Sequence, residues 1–256
     1  MKCFKDLNEK HVKILKEVEK NARNVKQDVY LRDLLKERMI IYDKKYVLTY
    51  KGYDHLALAH FKKKGLSRIV DQIDIGKESD IYLGEMNGSL VAVKMYRIGR
   101  TSYRKTENRD NIKMDMYKRS MMYCQREYKI LRSLTSENIA VPVGCNRHVL
   151  ITRYYDCKPL VKTRLDDLDY FYNKLMDLVV ELYSMGYVHG DFNEYNVLIK
   201  EKQIIMVDFP QCIPVTDPRA GEYLRRDVQC VKEYFERKYR YVNERDAVNE
   251  IAAGRD

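Results

Sequence analysis

The chain has 256 residues, of which 45% are hydrophobic and 34% charged. That balance suits a soluble globular protein of one large domain, or of one domain with a small appendage. No apolar run reaches membrane-spanning length and the first residues, MKCFKDLNEK, lack the apolar centre of a signal peptide. The net charge is +10, and residues 1–68 hold 18 Lys/Arg against 9 Asp/Glu, so nearly all the excess sits in the first quarter. Such a concentration points to a polyanionic partner, nucleic acid first, with a solvated lysine-rich surface as the plainer reading.

In chain order, Leu7, His11, Ile14, Leu15 and Val18 recur at helical spacing, and Tyr30, Leu31, Leu34 and Leu35 mark a second helix. MIIYDKKYVLTY (39–50) carries two β-rich runs around Asp43-Lys44-Lys45, a hairpin signal, with Gly52 expected to close it. YDHLALAHFKKK then returns to helical spacing. Helices with a short hairpin predict a winged helix over residues 1–68, with Lys44 and Lys45 at the wing tip.

From residue 69 the pattern turns to alternating strands with turns at Gly76 and Asn87-Gly88. Residues 97–119 are polar and charged and read as a mobile loop or a partly ordered helix. Within it Ser102 is a candidate phosphorylation site, although a serine in a basic loop is common. A helix around MMYCQREYKILRSL follows, then strands in 139–155. DLDYFYNKLMDLVVELYSMG is an apolar helix ended by Gly186, and EYLRRDVQCVKEYFERKYR is expected as the last helix. The resulting order is α+β and two-lobed: residues 69–155, then 156–256.

Four stretches carry the chemistry. In IGKESDIY, Gly76 lets the backbone approach a phosphate, and Lys77 and Ser79 offer donors. VAVK sets Lys94 at the end of an apolar strand, where an ammonium needs an anionic partner. Glu127, on the following helix, is the natural one. In HGDFNEYN, Asp191 and Asn196 have the spacing of a kinase catalytic loop. Asp208 in DFP follows Asp191 by 17 residues, across a short hairpin. Asn196 and Asp208 offer hard oxygen ligands for Mg²⁺, and Asp191 a proton acceptor. His189 reads as a support of that loop; His11, His55, His60 and His148 lack metal-ligand spacing. The six cysteines show no framework spacing and read as reduced thiols.

The stretches GKESDIY, IGRTSYR, NRHVLI, HGDFNEYN and DFPQ resemble the Rio family of atypical protein kinases, in its winged-helix (type two) branch. The resemblance covers essentially the whole chain and implies an N-terminal winged helix followed by a protein-kinase-like domain with a reduced C-lobe. Only 48 residues follow Asp208, without an APE-like segment, which agrees. It further implies an ATP- and Mg²⁺-dependent (or Mn²⁺-dependent) serine/threonine kinase or ATPase, with adenine gripped by the backbone of Arg153 and Tyr155. It also implies transient phosphorylation of Asp208. Implied partners are the pre-small-subunit ribosomal particle, its rRNA, ribosomal proteins and assembly factors, with no membrane. A cytoplasmic monomer that shuttles through the nucleus is expected. Three features depart from the family pattern: Asp74 replaces a loop glycine, Arg153 replaces a common hinge acid, and the long C-terminal extension of many eukaryotic members is not in this sequence. A non-catalytic nucleotide-binding assembly scaffold and a winged-helix nucleic-acid-binding regulator are the competing readings.

Overall fold

A computed structural model of the chain describes residues 4–20, 25, 27–99 and 116–254. Ser102 and most of the charged loop lie outside them. The chain divides into two compact units, Met1–Tyr128 with Pro142–Tyr154, and Lys129–Val141 with Tyr155–Asp256.

The first unit opens with α1 (Glu9–Glu19), capped by Asn8, and α2 (Val29–Lys36), capped by Asp28. A tight hairpin of β1 (Ile40–Asp43) and β2 (Lys45–Leu48) pairs Asp43 with Lys45 around a left-handed Lys44. Lys44 and Lys45 are both exposed at its tip. Helix α3 (Tyr50–Lys62) then begins at an N-cap, Thr49, earlier than the sequence suggested. Gly52 therefore lies inside the first turn of α3 instead of closing the hairpin. Its role is close approach, since a Cβ there would come within 2.3 Å of the Met39 carbonyl.

Helix α3 serves two cores. Leu56 packs with Ile14, Leu15, Val18, Leu31, Leu34 and Leu48 of the helices and hairpin. Ala57, Leu58 and Phe61 pack instead under a sheet, with Val91, Val93, Val149 and Ile151. That sheet contains β3 (Leu66–Ile75), β4 (Ser79–Met86), β5 (Ser89–Tyr96), β6 (Pro142–Asn146) and β7 (Val149–Arg153), ordered β3-β4-β5-β7-β6 and antiparallel throughout. The two-residue turn Asn87-Gly88 has positive φ at both positions, as a type I′ hairpin requires.

Helix α4 (Met116–Ser133) starts before the expected MMYC segment and takes in the end of the charged stretch. The start of that stretch is ordered too. Arg97 donates two hydrogen bonds to Asp54 of α3, at 2.8 and 2.9 Å, and one to Asp80 of β4 at 3.0 Å. His148 Nε2 lies 2.7 Å from Asp54. Ile98 and Tyr117 are buried, and Tyr117 stacks on Tyr53 with ring centroids 3.5 Å apart. The stretch read as poor in core residues because this charge is neutralised by acids far away in sequence.

In the second unit β8 (Lys158–Pro159) leads into a 3-10 turn, then α5 (Leu168–Ser184), with Asp167 as N-cap and Gly186 left-handed just beyond its end. Short β9 (Tyr187–Val188) precedes the hairpin β10 (Val197–Lys200) and β11 (Gln203–Met206). β10 also pairs with β8, and β12 (Ile213–Pro214) with β9. Helix α6 (Ala220–Tyr239) is not the last element. α7 (Ala247–Ala253), capped by Asp246, follows, and both pack against α5.

Candidate active site

The chemistry-bearing residues fall into two clusters, one in each unit. In the first, strand β5 alternates, burying Val91, Val93 and Met95, which turns Lys94 to the opposite face. Its Nζ donates to Glu127 Oε2 of α4 at 2.8 Å, with the side chains only 12% and 3% exposed. The Tyr96 hydroxyl donates to the same oxygen, and the ammonium lies 4.7 Å from the Tyr96 ring centroid. The sequence-derived pair is thus formed, with a third member that spacing alone did not single out.

The turn between β3 and β4 holds Gly76 and Lys77, and Ser79 opens β4. Gly76 N–H donates to the Ser79 carbonyl at 2.8 Å, and Lys77 is exposed. Arg153 ends β7 opposite Val91 and is also exposed. Asp74 lies in β3 across from Ile81. Tyr155 belongs to the second unit, where its hydroxyl accepts from Val141 N–H at 3.2 Å.

The second cluster occupies the segment between β9 and β10 and the residues just after β11. Asp191 Oδ1 accepts from Asn193 Nδ2 at 3.0 Å, and Oδ2 from Asn196 Nδ2 at 3.1 Å. Both amides also reach the Asp191 carbonyl, at 3.1 and 2.9 Å. Asn196 therefore spends its amide nitrogen on Asp191, while its Oδ1 is a donor atom of the kind hard cations take. Its own carbonyl accepts from Val207 N–H at 3.0 Å. His189 Nε2 lies 3.2 Å from the Val207 carbonyl, matching the expected supporting role. Val207 is thus held on both sides, and Asp208, next in the chain, takes φ +69°. A left-handed aspartate is uncommon and concentrates where the surroundings impose it.

Burial raises the Asp191 carboxyl above its ordinary value, and the Asp208 charge adds to the effect; Asn196, Arg226 and Asn193 offset part of it. Two acids so disposed are stable as carboxylates when a cation balances them. Among the described residues no group of three His, Cys, Asp or Glu could hold a metal. The set here is different: two carboxylates and an amide oxygen, all hard donors, which fits Mg²⁺.

Asp227 of α6 was not evident from the sequence. Its carboxylate accepts from Gly190 N–H at 2.7 Å and Phe192 N–H at 3.0 Å, and it is 2% exposed. Burial raises its pKa, while the His189 charge and those two N–H groups oppose the rise. The neighbouring Arg226 donates to the Gly190 carbonyl. Together they fix the backbone on both sides of Asp191. The available signal was an acid on the apolar face of an amphipathic helix, among Leu224, Val228 and Val231.

A lysine–glutamate pair on a five-stranded antiparallel sheet, with an Asp-x₄-Asn loop and a further Asp after a hairpin, defines a protein-kinase-like fold. The RIO domain profile matches residues 80–248. The chain belongs to the RIO domain family. It is 36% identical over 207 residues to the serine/threonine-protein kinase rio2 of Schizosaccharomyces pombe, covering 77% of this chain and 60% of that one. Identity to the serine/threonine-protein kinase RIO2 of Caenorhabditis elegans is 34%, covering 84% of this chain and 44% of the relative. The archaeal Rio2 of Methanocaldococcus jannaschii, a RIO-type serine/threonine-protein kinase, is 30% identical, over 80% of this chain and 81% of its own. The chain spans about half the length of the curated eukaryotic relatives it matches. Among solved structures, the Rio2 kinase–ADP/Mg²⁺–phosphoaspartate complex from Chaetomium thermophilum aligns with a TM-score of 0.80 at 27% identity, covering 94% of this chain and 84% of that one.

Proposed function

We propose that the chain is an ATP- and Mg²⁺-dependent atypical serine/threonine kinase or ATPase that acts in late maturation of the small ribosomal subunit. The observation that carries the reading is the Asp191 loop: a half-buried acid pinned by Asn193 and Asn196 and raised partly by the charge of Asp208. Phosphoryl transfer needs positioning and charge compensation more than covalent help. Lys94, held by Glu127, supplies positive charge for the phosphates, Gly76 lets the backbone approach them, and Lys77 and Ser79 supply donors. Asp191 takes the proton from the attacking hydroxyl or water, its raised pKa bringing it closer to working pH. Asn196 and Asp208 would hold Mg²⁺, which offsets the negative charge of the phosphates when bound.

Asp208 is also the proposed acceptor of a transient phosphoryl group. A carboxylate oxygen attacks the γ-phosphorus, the bond to the ADP oxygen breaks, and water later releases phosphate. The relative solved as a phosphoaspartate complex supports this assignment. The basic first quarter, with Lys44 and Lys45 exposed at the hairpin tip, supports an RNA-containing partner such as the pre-small-subunit particle. A cytoplasmic location, with shuttling through the nucleus, goes with that role.

Single-turnover assays with γ-labelled ATP test the proposal. Asp208→Ala should cut hydrolysis at least about a thousandfold and abolish the acid-stable, hydroxylamine-sensitive adduct, with the far-UV circular dichroism unchanged. Full turnover in that variant overturns the assignment. Nucleotide binding without hydrolysis in the unmutated chain marks a scaffold instead.

A further inference from the structure

Two thiols in the first unit are placed for chemistry that phosphoryl transfer does not use. Cys124 is fully buried on α4, and Cys145 is half-buried on β6, the edge strand of the five-stranded sheet. Their sulfurs lie 3.3 Å apart. We propose that Cys124 and Cys145 are a peroxide-oxidised modification site that closes reversibly to a disulfide and staples α4 to β6.

Closing the gap to the bonded length of about 2.05 Å needs about 1.3 Å of sulfur movement, within reach of side-chain rotation and a small shift of α4. The two thiols also differ in kind. Burial pushes the Cys124 thiol up, so it keeps its proton. The hydrogen bond from Cys124 holds Cys145 below the usual thiol value, against its own burial. Burial raises Cys157 and Cys230 in the second unit instead. Cys145 is accordingly the attacking thiolate and Cys124 the resolving thiol.

The Cys145 sulfur attacks one oxygen of hydrogen peroxide and the O–O bond breaks. The departing hydroxide takes up the proton that Cys145 has released, giving water and a sulfenic acid. The Cys124 sulfur then attacks the sulfenic sulfur and the S–O bond breaks. The hydroxide leaves with the Cys124 proton as a second water. Two thiols are oxidised by two electrons and one peroxide is reduced. Glu127 lies one helical turn beyond Cys124, so the bridge anchors the turn of α4 that presents it to Lys94. The crosslink itself stands independently of the kinase reading.

Stoichiometric peroxide added to the reduced chain, followed by alkylation and peptide mapping without reductant, tests this. The expected product is one intramolecular Cys124–Cys145 crosslink, two hydrogen masses lighter, while Cys157, Cys212 and Cys230 stay alkylatable. Its melting temperature should rise by about 5 °C, a gain reversed by dithiothreitol. Cys124→Ala should trap a dimedone-reactive sulfenic acid at Cys145, and Cys145→Ser should leave position 124 unmodified. Oxidation that stops at Cys145 in the unmutated chain, a bridge joining any other pair, or a crosslink without a melting shift overturns the proposal.

Discussion

The Lys94 cluster and the Asp191 cluster treat buried charge in opposite ways. At Lys94 an ammonium meets a carboxylate at 2.8 Å and a tyrosine hydroxyl completes the shell, so opposite charges cancel within ordinary β and α backbone. At Asp191 a second acid acts on the first, and the backbone of that second acid is left-handed. In the first cluster each charge meets its opposite directly. At the second, amide N–H groups and the Arg226 charge offset only part of the rise at Asp191, and that difference marks it as the place for a cation.

The comparison breaks most visibly at Lys94. Lys94→Met keeps the length of the side chain and leaves Glu127, 3% exposed, with Tyr96 as its remaining donor among these three side chains. Stability should fall by about 3 kcal/mol, because an uncompensated buried carboxylate is far costlier than an intact pair is stabilising. Urea unfolding measures it. A loss below about 1 kcal/mol would mean that the first cluster is not balanced by this pair.

A smaller effect is expected at Asp227. Asp227→Asn keeps one acceptor oxygen but turns an NH₂ toward a backbone N–H, so Gly190 or Phe192 loses its partner. The expected cost is about 1–3 kcal/mol. Hydrolysis should fall about tenfold as the Asp191 backbone loosens, with the Michaelis constant for ATP little changed. Unchanged turnover would show that the loop is held by Arg226 and the asparagines alone.

How far these clusters were legible from sequence follows from where their partners lie in the chain. Asp191, Asn196 and Asp208 are close together, each interrupting an apolar run, so their spacing could be read directly. Lys94 and Glu127 were legible because the strand set one ammonium in an apolar run and the next helix carried one acid among its basic residues. Asp227 was not, since it answers backbone groups 35 and 37 residues earlier and nothing near it in the chain demands an acid. The Arg97 network was missed for the same reason: its contacts span 17 to 94 residues, among Asp80, Asp54 and His148. Local polarity made Arg97 look like a loop residue, whereas two distant carboxylates neutralise it. The hairpin, the succession of strands β3 to β5 with its two turns, and the long helices followed from periodicity. Gly52 did not, because its need is a close tertiary approach and not a turn.

The subtlest expectation concerns the sign of a stability change. Asp208→Asn preserves the size of the side chain and removes the charge that helps to raise Asp191. A carboxyl with a raised folded pKa binds more protons folded than unfolded, from the unfolded aspartate value of about 3.9 up to its folded value. Across that interval stability falls as pH rises, and above it the full loss persists. With the Asp208 charge gone, Asp191 returns toward its ordinary range and the fall shrinks. Without metal, Asp208→Asn should match the unmutated chain near pH 3 and melt about 1–3 °C higher at pH 7. Mg²⁺ should then raise the melting temperature of the unmutated chain and leave the variant nearly unmoved. This sign is opposite to that at Lys94, where losing a charge destabilises. If Asp208→Asn instead melts lower at neutral pH without metal, the two acids are already balanced by the protein, and the second cluster is no more in need of a cation than the first.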